Sequence, residues 1–241
     1  MFTFAMTVLG AAMVFFFRKR ISARAGRLCF GFAGGVMSAA AVFSLLLPAA
    51  RQAEAMGWEP WLTAALGFAL GAGMMIVLDL YISSRQAHAD DAPRRRAMLL
   101  SAVTLHNIPE GMAVGLAFAA AAGKESAALA AAAAVALGIG VQNIPEGAAI
   151  ALPLRQGGFS VRRSFALGAA SGAVEPVFGV IAALMISAAS GLMPGLMAFS
   201  AGAMMWVVFS EMLPESCVQR DGALAAAVGY ILMMALDLAL G

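Results

Sequence analysis

An all-α integral membrane protein is the fold class that the sequence predicts: eight transmembrane helices, both termini outside, and inverted pseudo-twofold symmetry relating the fourth and fifth helices. Three observations predict it. Of the 241 residues, 62% are hydrophobic before the 26 glycines are counted and only 12% are charged, against roughly a quarter charged in a soluble domain. The apolar residues fall in eight runs bounded by charge, Pro or Gly. A hexapeptide in the fourth run returns in the fifth with one change.

The runs lie at about 1–17, 28–50, 61–82, 97–122, 127–152, 164–189, 192–213 and 223–240. A spanning helix needs about 20 residues, so eight use about 160 of the 241 and leave room only for short connections. The expectation is a single transmembrane domain, 1–241. The net charge of +2 comes from 15 Lys and Arg against 13 Asp and Glu. That balance does not suit a polyanion-binding surface, so the lipid bilayer and not nucleic acid is the expected partner. No basic stretch precedes the first run, and Arg18, Lys19 and Arg20 follow it. This is the reverse of a cleaved signal, and the first segment is expected to stay in the mature protein.

Basic residues assign the faces. One set of loops holds Arg18, Lys19, Arg20, Arg24, Arg27, Arg85, Arg94, Arg95, Arg96, Arg155, Arg162, Arg163 and Arg220; the other holds Arg51 and Lys124. The positive-inside rule places the first set in the cytoplasm and both termini outside. Cys29 and Cys217, in no metal or redox spacing, then lie near the reducing side and read as free packing thiols. Small residues at i, i+4, such as Gly31 with Gly35 and Gly168 with Gly172, permit close helix contacts without proving any one of them. The longest cytoplasmic connection, 83–96, holds His88, Asp90 and Asp91 and reads as a solvated loop.

The repeat carries the chemistry. HNIPEG at His106–Gly111 returns as QNIPEG at Gln142–Gly147, in consecutive helices of opposite direction, as inverted-repeat transporters are built. His106 lies ten residues from Arg96 and Glu146 nine from Arg155, which puts both about 15 Å deep in a core of about 30 Å. Glu110 and Gln142 sit about one turn further out, level with each other. Each motif puts its first residue, Asn and Glu on one helical face, at i, i+4 and i, i+3. Pro109, Pro145 and Pro176 remove backbone N–H groups, which should free the carbonyls of Leu105, Val141 and Gly172. Glu175, twelve residues from Arg163, adds a third carboxylate at depth.

Three acids in hydrocarbon without a Lys or Arg are costly, and a divalent cation would compensate them together. Imidazole, carboxylates and amides form a mixed N/O set that suits first-row divalent metals, zinc first. Interhelical hydrogen bonding would account for Asn107 and Asn143 but not for three glutamates. Asp79, Glu211 and Asp237 lie near helix ends and read as interfacial anchors. Met37 reads by spacing as packing. Two other functions fit some of these residues: a proton or monovalent-cation pathway through the glutamates, and an intramembrane metalloenzyme, disfavoured because no HExxH pair is present. No prosthetic group is expected.

HNIPEG on the fourth helix, a second NIPEG on the fifth and SGAVEP at Ser171–Pro176 on the sixth resemble the ZIP (Zrt- and Irt-like) family of divalent metal transporters, in its prokaryotic, GufA-like branch. The resemblance covers the whole chain. It implies import of Zn²⁺ and related cations such as Cd²⁺, Mn²⁺, Fe²⁺ and Co²⁺ across the plasma (inner) membrane of a bacterium. Also implied is a two-metal site, with His106, Glu110, Gln142 and Glu146 at one position. Asn107, Asn143 and Glu175, with the shared Glu110 and Glu146, would form the other. GFAGGVMSAA resembles the family's second helix and raises Met37 to a contributor at the first position or its entrance. A homodimer and a sliding motion between two helix groups are further implications. Many relatives have His where this chain has Gln142, and many carry a His-rich loop where this chain has only His88.

Overall fold

The computed structural model describes residues 1–16, 22–85, 91–123 and 126–240. Helix α1 (Phe2–Phe16) is apolar apart from Thr3 and Thr7 and tightens to a 3-10 turn over Met13–Phe16. Helix α2 (Ala23–Ala55) opens on Ser22, whose hydroxyl accepts the Ala25 N–H at 3.2 Å and so satisfies one of the orphan donors of the first turn. Helix α3 (Pro60–Arg85) follows a turn at Gly57, whose φ of 74° suits glycine. Helices α4 (Asp91–Ala121) and α5 (Ser126–Gln156) carry the two motifs and run unbroken through Pro109 and Pro145. Helix α6 (Val161–Leu184) is interrupted between Ser171 and Val174. Helix α7 comprises Ile186–Val207, Val208–Met212 and Leu213–Ser216, and α8 is Arg220–Leu240.

Among the described residues there is no strand. Six of the helices are long and apolar enough to cross a bilayer; α1 is apolar but shorter, and α4 carries the polar motif. The fold is therefore all-helical, with six to eight apolar helices, as the composition predicts.

Three expectations are corrected. The boundary between the sixth and seventh runs falls at Met185, not at Ser190 and Gly191. Ser190 is helical, and its hydroxyl donates to the Ile186 carbonyl at 2.6 Å, a back-bond open to serine inside helices. The polar connection expected over 83–96 is shorter, since α3 reaches Arg85 and α4 begins at Asp91. Cys217 is exposed and so is not a packing residue; Cys29 is half-buried, and both thiols are free. His88, Asp90, Arg18, Lys19, Arg20 and Lys124 lie outside the described residues.

The helices pack chiefly as α1 on α5, α2 on α8, α3 on α7 and α4 on α6. Helix α4 also meets α5 and α7, and α2 meets α5. Backbone contact explains the small residues: Gly31 and Gly35 face the carbonyls of Gly222 and Ala226, leaving no space for a side chain. The core is built of alanines with Met37, Met75, Met98, Met193, Met204, Met212 and Met233, flexible side chains that fill gaps beside small neighbours. At the ends of α2 and α8, Asp221 pairs with Arg24 at 3.3 Å and Arg27 at 3.5 Å.

Helices α2 and α7 share a second repeat. V-F-S-x-x-L-P occurs at 42–48 and again at 208–214, and both copies form a π turn, over Ala41–Leu46 and Val208–Met212. In each, the leucine before the proline donates its N–H five residues back, Leu47 to Val42 and Leu213 to Val208. A proline ring clashes with the carbonyl four residues earlier, and a widened turn relieves that clash.

Candidate metal site

The antiparallel pair α4 and α5 meets where the motifs cross. His106 Nε2 lies 3.2 Å from Glu110 Oε1 on its own helix and 3.2 Å from Glu146 Oε2 on α5. His106 is therefore level with Glu146, as the depth estimate predicts. The three residues are buried, and one ligating atom from each lies within 4.8 Å of the others. A single Nε2 hydrogen cannot serve two carboxylates. Glu146 is placed to take it, and Glu110 is left without a hydrogen bond to either oxygen. Glu146 Oε1, His106 Nδ1 and Asn143 Oδ1 are also buried without a hydrogen-bond partner among the described residues. Buried polar atoms are nearly always satisfied, so the unpartnered carboxylate and amide oxygens call for a group that accepts lone pairs.

Glu175, 1% exposed, begins the second half of α6. The expectation that Pro176 frees the Gly172 carbonyl is corrected: the chain tightens at the break, and the Glu175 N–H donates to that carbonyl at 3.1 Å. The Leu105 carbonyl, opposite Pro109, is also satisfied, by the Ser200 hydroxyl of α7 at 3.1 Å. The Glu175 carboxylate accepts from Asn143 Nδ2 at 3.0 Å and from Thr7 Oγ1 at 2.9 Å. Asn143 Nδ2 also reaches the Thr3 carbonyl at 3.3 Å, and Asn107 Nδ2 donates to the Ser171 carbonyl at 2.9 Å.

Gln142 engages two further helices. Its Nε2 donates to Ser44 Oγ of α2 at 3.0 Å and to Asp237 Oδ1 of α8, while Ser44 Oγ donates to the same oxygen at 2.7 Å. Asp237 is buried in this contact, so it is not the interfacial anchor that its place near a helix end suggests. Glu211 is likewise buried, inside the π turn of α7. Asp79 is half-buried on α3. Met37 lies in the apolar core on α2.

Thr3, Thr7, Ser44 and Asp237 are the residues that the motifs do not reveal. For Ser44 a signal exists in the V-F-S-x-x-L-P repeat, since a polar residue that recurs at one position of two apolar runs stands out. The threonines have no such signal.

A family profile described as "ZIP Zinc transporter" matches residues 83–237, which span both motifs, Glu175 and Asp237. The chain belongs to the ZIP family. Among its relatives, zinc transporter ZIP11 of Homo sapiens is 32% identical over 100% of this chain and 95% of that protein. Zinc transporter ZIPB of Bordetella bronchiseptica is 36% identical over 99% of this chain and 79% of its own length. Zinc transporter GufA of Myxococcus xanthus is 35% identical over 83% and 81%. As a ZIP protein the chain is a multi-pass membrane transporter and not an enzyme, and zinc stands to it as cargo, not as a prosthetic group.

Proposed function

We propose that this ZIP protein brings Zn²⁺ and related divalent cations, Cd²⁺, Mn²⁺, Fe²⁺ and Co²⁺ among them, into the cytoplasm through the cluster between α4, α5 and α6. One observation carries the reading: His106 Nε2 stands 3.2 Å from two buried carboxylates, and among the described residues no Lys or Arg is buried to compensate them. Two ligands each about 2.1 Å from a tetrahedral zinc are roughly 3.4 Å apart, close to the spacing already present. Cations of similar preference fit the same N/O set.

The site is read as binuclear. His106, Glu110, Gln142 and Glu146 hold one cation, with Met37 at its approach, and Asn107, Asn143 and Glu175 share Glu110 and Glu146 for the other. The direct Asn143 to Glu175 bond supports the second grouping. All eight helices are read as spans of one domain, 1–241, with both termini on the non-cytoplasmic side of a bacterial inner membrane, from the distribution of basic residues. The inverted relation between α4 and α5 extends to α2 and α7, whose shared π turn supports it. Assembly as a homodimer belongs to the same reading and is checked by light scattering of the purified protein.

The test is influx into liposomes that contain a metal-sensitive dye, for Zn²⁺, Cd²⁺, Mn²⁺, Fe²⁺, Co²⁺ and Mg²⁺. Wild-type influx of Zn²⁺ or Cd²⁺ that Glu110→Ala abolishes is the expected result. Proton flux without metal influx would instead make the carboxylates a proton relay.

A further inference from the structure

We infer that Thr7, on the first helix, is a positioning residue for the Glu175 half of the cation path, an inference that rests on the reading of the cluster as that path. Thr7 is 2% exposed, and its hydroxyl lies 2.9 Å from Glu175 Oε1, while Asn143 Nδ2 holds the other oxygen at 3.0 Å. The carboxylate is thus gripped from both sides, by α1 and by α5. A carboxyl group rotates about its terminal torsion unless its oxygens are bound, so Thr7 and Asn143, together with the Thr3 side chain one turn back on α1, set the direction in which Glu175 presents its lone pairs.

Thr7 has a second acceptor within reach, the Thr3 carbonyl one turn back, at 3.3 Å. A hydroxyl carries one hydrogen. When a cation takes lone pairs of Glu175, Thr7 can turn that hydrogen to Thr3 without moving its oxygen. The hydroxyl therefore stays satisfied whether Glu175 is loaded or empty, and no buried donor is orphaned during the cycle.

The position is built by packing. A Cβ added at Gly172 would stand 2.9 Å from Thr7 Cβ and Cγ2 and 3.0 Å from Glu175 Oε1. Gly172 thereby lets the methyl and hydroxyl of Thr7 approach the break in α6. On the other side, a Cβ at Gly147 would run into the Thr7 carbonyl. Groups that orient metal ligands in this way alter affinity by about 10- to 100-fold when removed.

The experiment compares Cd²⁺ influx into liposomes for wild type, Glu110→Ala, Thr7→Val and Thr7→Ser. Valine keeps the branched shape and loses the hydroxyl; serine keeps the hydroxyl and loses the methyl. Thr7→Val is expected to raise the Cd²⁺ concentration for half-maximal influx by about tenfold or more, and Thr7→Ser to stay within about twofold of wild type. If Thr7→Val does not accumulate, Thr7→Ala against Thr7→Ser makes the same comparison, because both lack the methyl. A hydroxyl-free variant within twofold of wild type, or a serine variant that falls as far as valine, overturns the inference alone. Absence of wild-type influx overturns the underlying reading and the inference with it.

Discussion

Gln142 joins three helices through one amide, donating to Ser44 on α2 and Asp237 on α8 while sitting on α5. Replacing it with leucine would leave buried Asp237 with Ser44 as its remaining partner here. The expected cost is about 1–3 kcal/mol, read as a lower melting temperature of the detergent-solubilised protein. Gln142→His should instead add a nitrogen donor and move the influx ranking towards metals that favour imidazole, Zn²⁺ and Co²⁺ over Mn²⁺. An unchanged ranking would separate Gln142 from the cation. His106, Glu110, Glu146 and Glu175 were legible in the sequence because charge amid hydrocarbon needs a reason. Asp237 and Thr7 were not. A lone polar residue near the end of an apolar run reads the same whether it faces headgroups or the core, and only the packing of α8 and α1 against α5 decides it.

Each pair of closely packed helices depends on glycines that admit a neighbouring backbone. Gly35→Ala would push a methyl into the Ala226 carbonyl and crowd the Tyr230 N–H. The expected cost is about 1–3 kcal/mol by thermal melting. Gly73→Ala, with nothing within 4 Å of the new methyl, should be neutral or stabilising by up to about 1 kcal/mol, since alanine favours the helix. Equal losses at both positions would refute the assignment of close contact to Gly35. The helices themselves were legible from hydropathy and length. Two features were hidden: the π turns, which require the clash of Pro48 and Pro214 with the preceding turn to be resolved in three dimensions, and the bend at Met185, because Ser190 and Gly191 look like a break but remain helical.

The molecule is apolar on its outside and polar at its centre. Trp61, Leu70 and Val77 of α3 and Leu224, Val228 and Ile231 of α8 are exposed, as lipid-facing side chains must be, while the acids and amides are inside. The orientation expected from the arginines is a proposal that Cys217 allows to be checked. In a Cys29→Ala protein, Cys217 is the sole thiol, exposed three residues before Arg220. A membrane-impermeant maleimide should label it in inside-out vesicles and not from the outside of intact cells; the opposite pattern would invert the topology.

The measurement that tests the central claim most directly is anomalous diffraction from crystals of the transport-competent protein equilibrated with Zn²⁺. A peak is expected at bonding distance, about 2.0–2.2 Å, from His106 Nε2 and from a carboxylate oxygen of Glu110 or Glu146. Bound zinc elsewhere in the protein, with none between those three side chains, would contradict it.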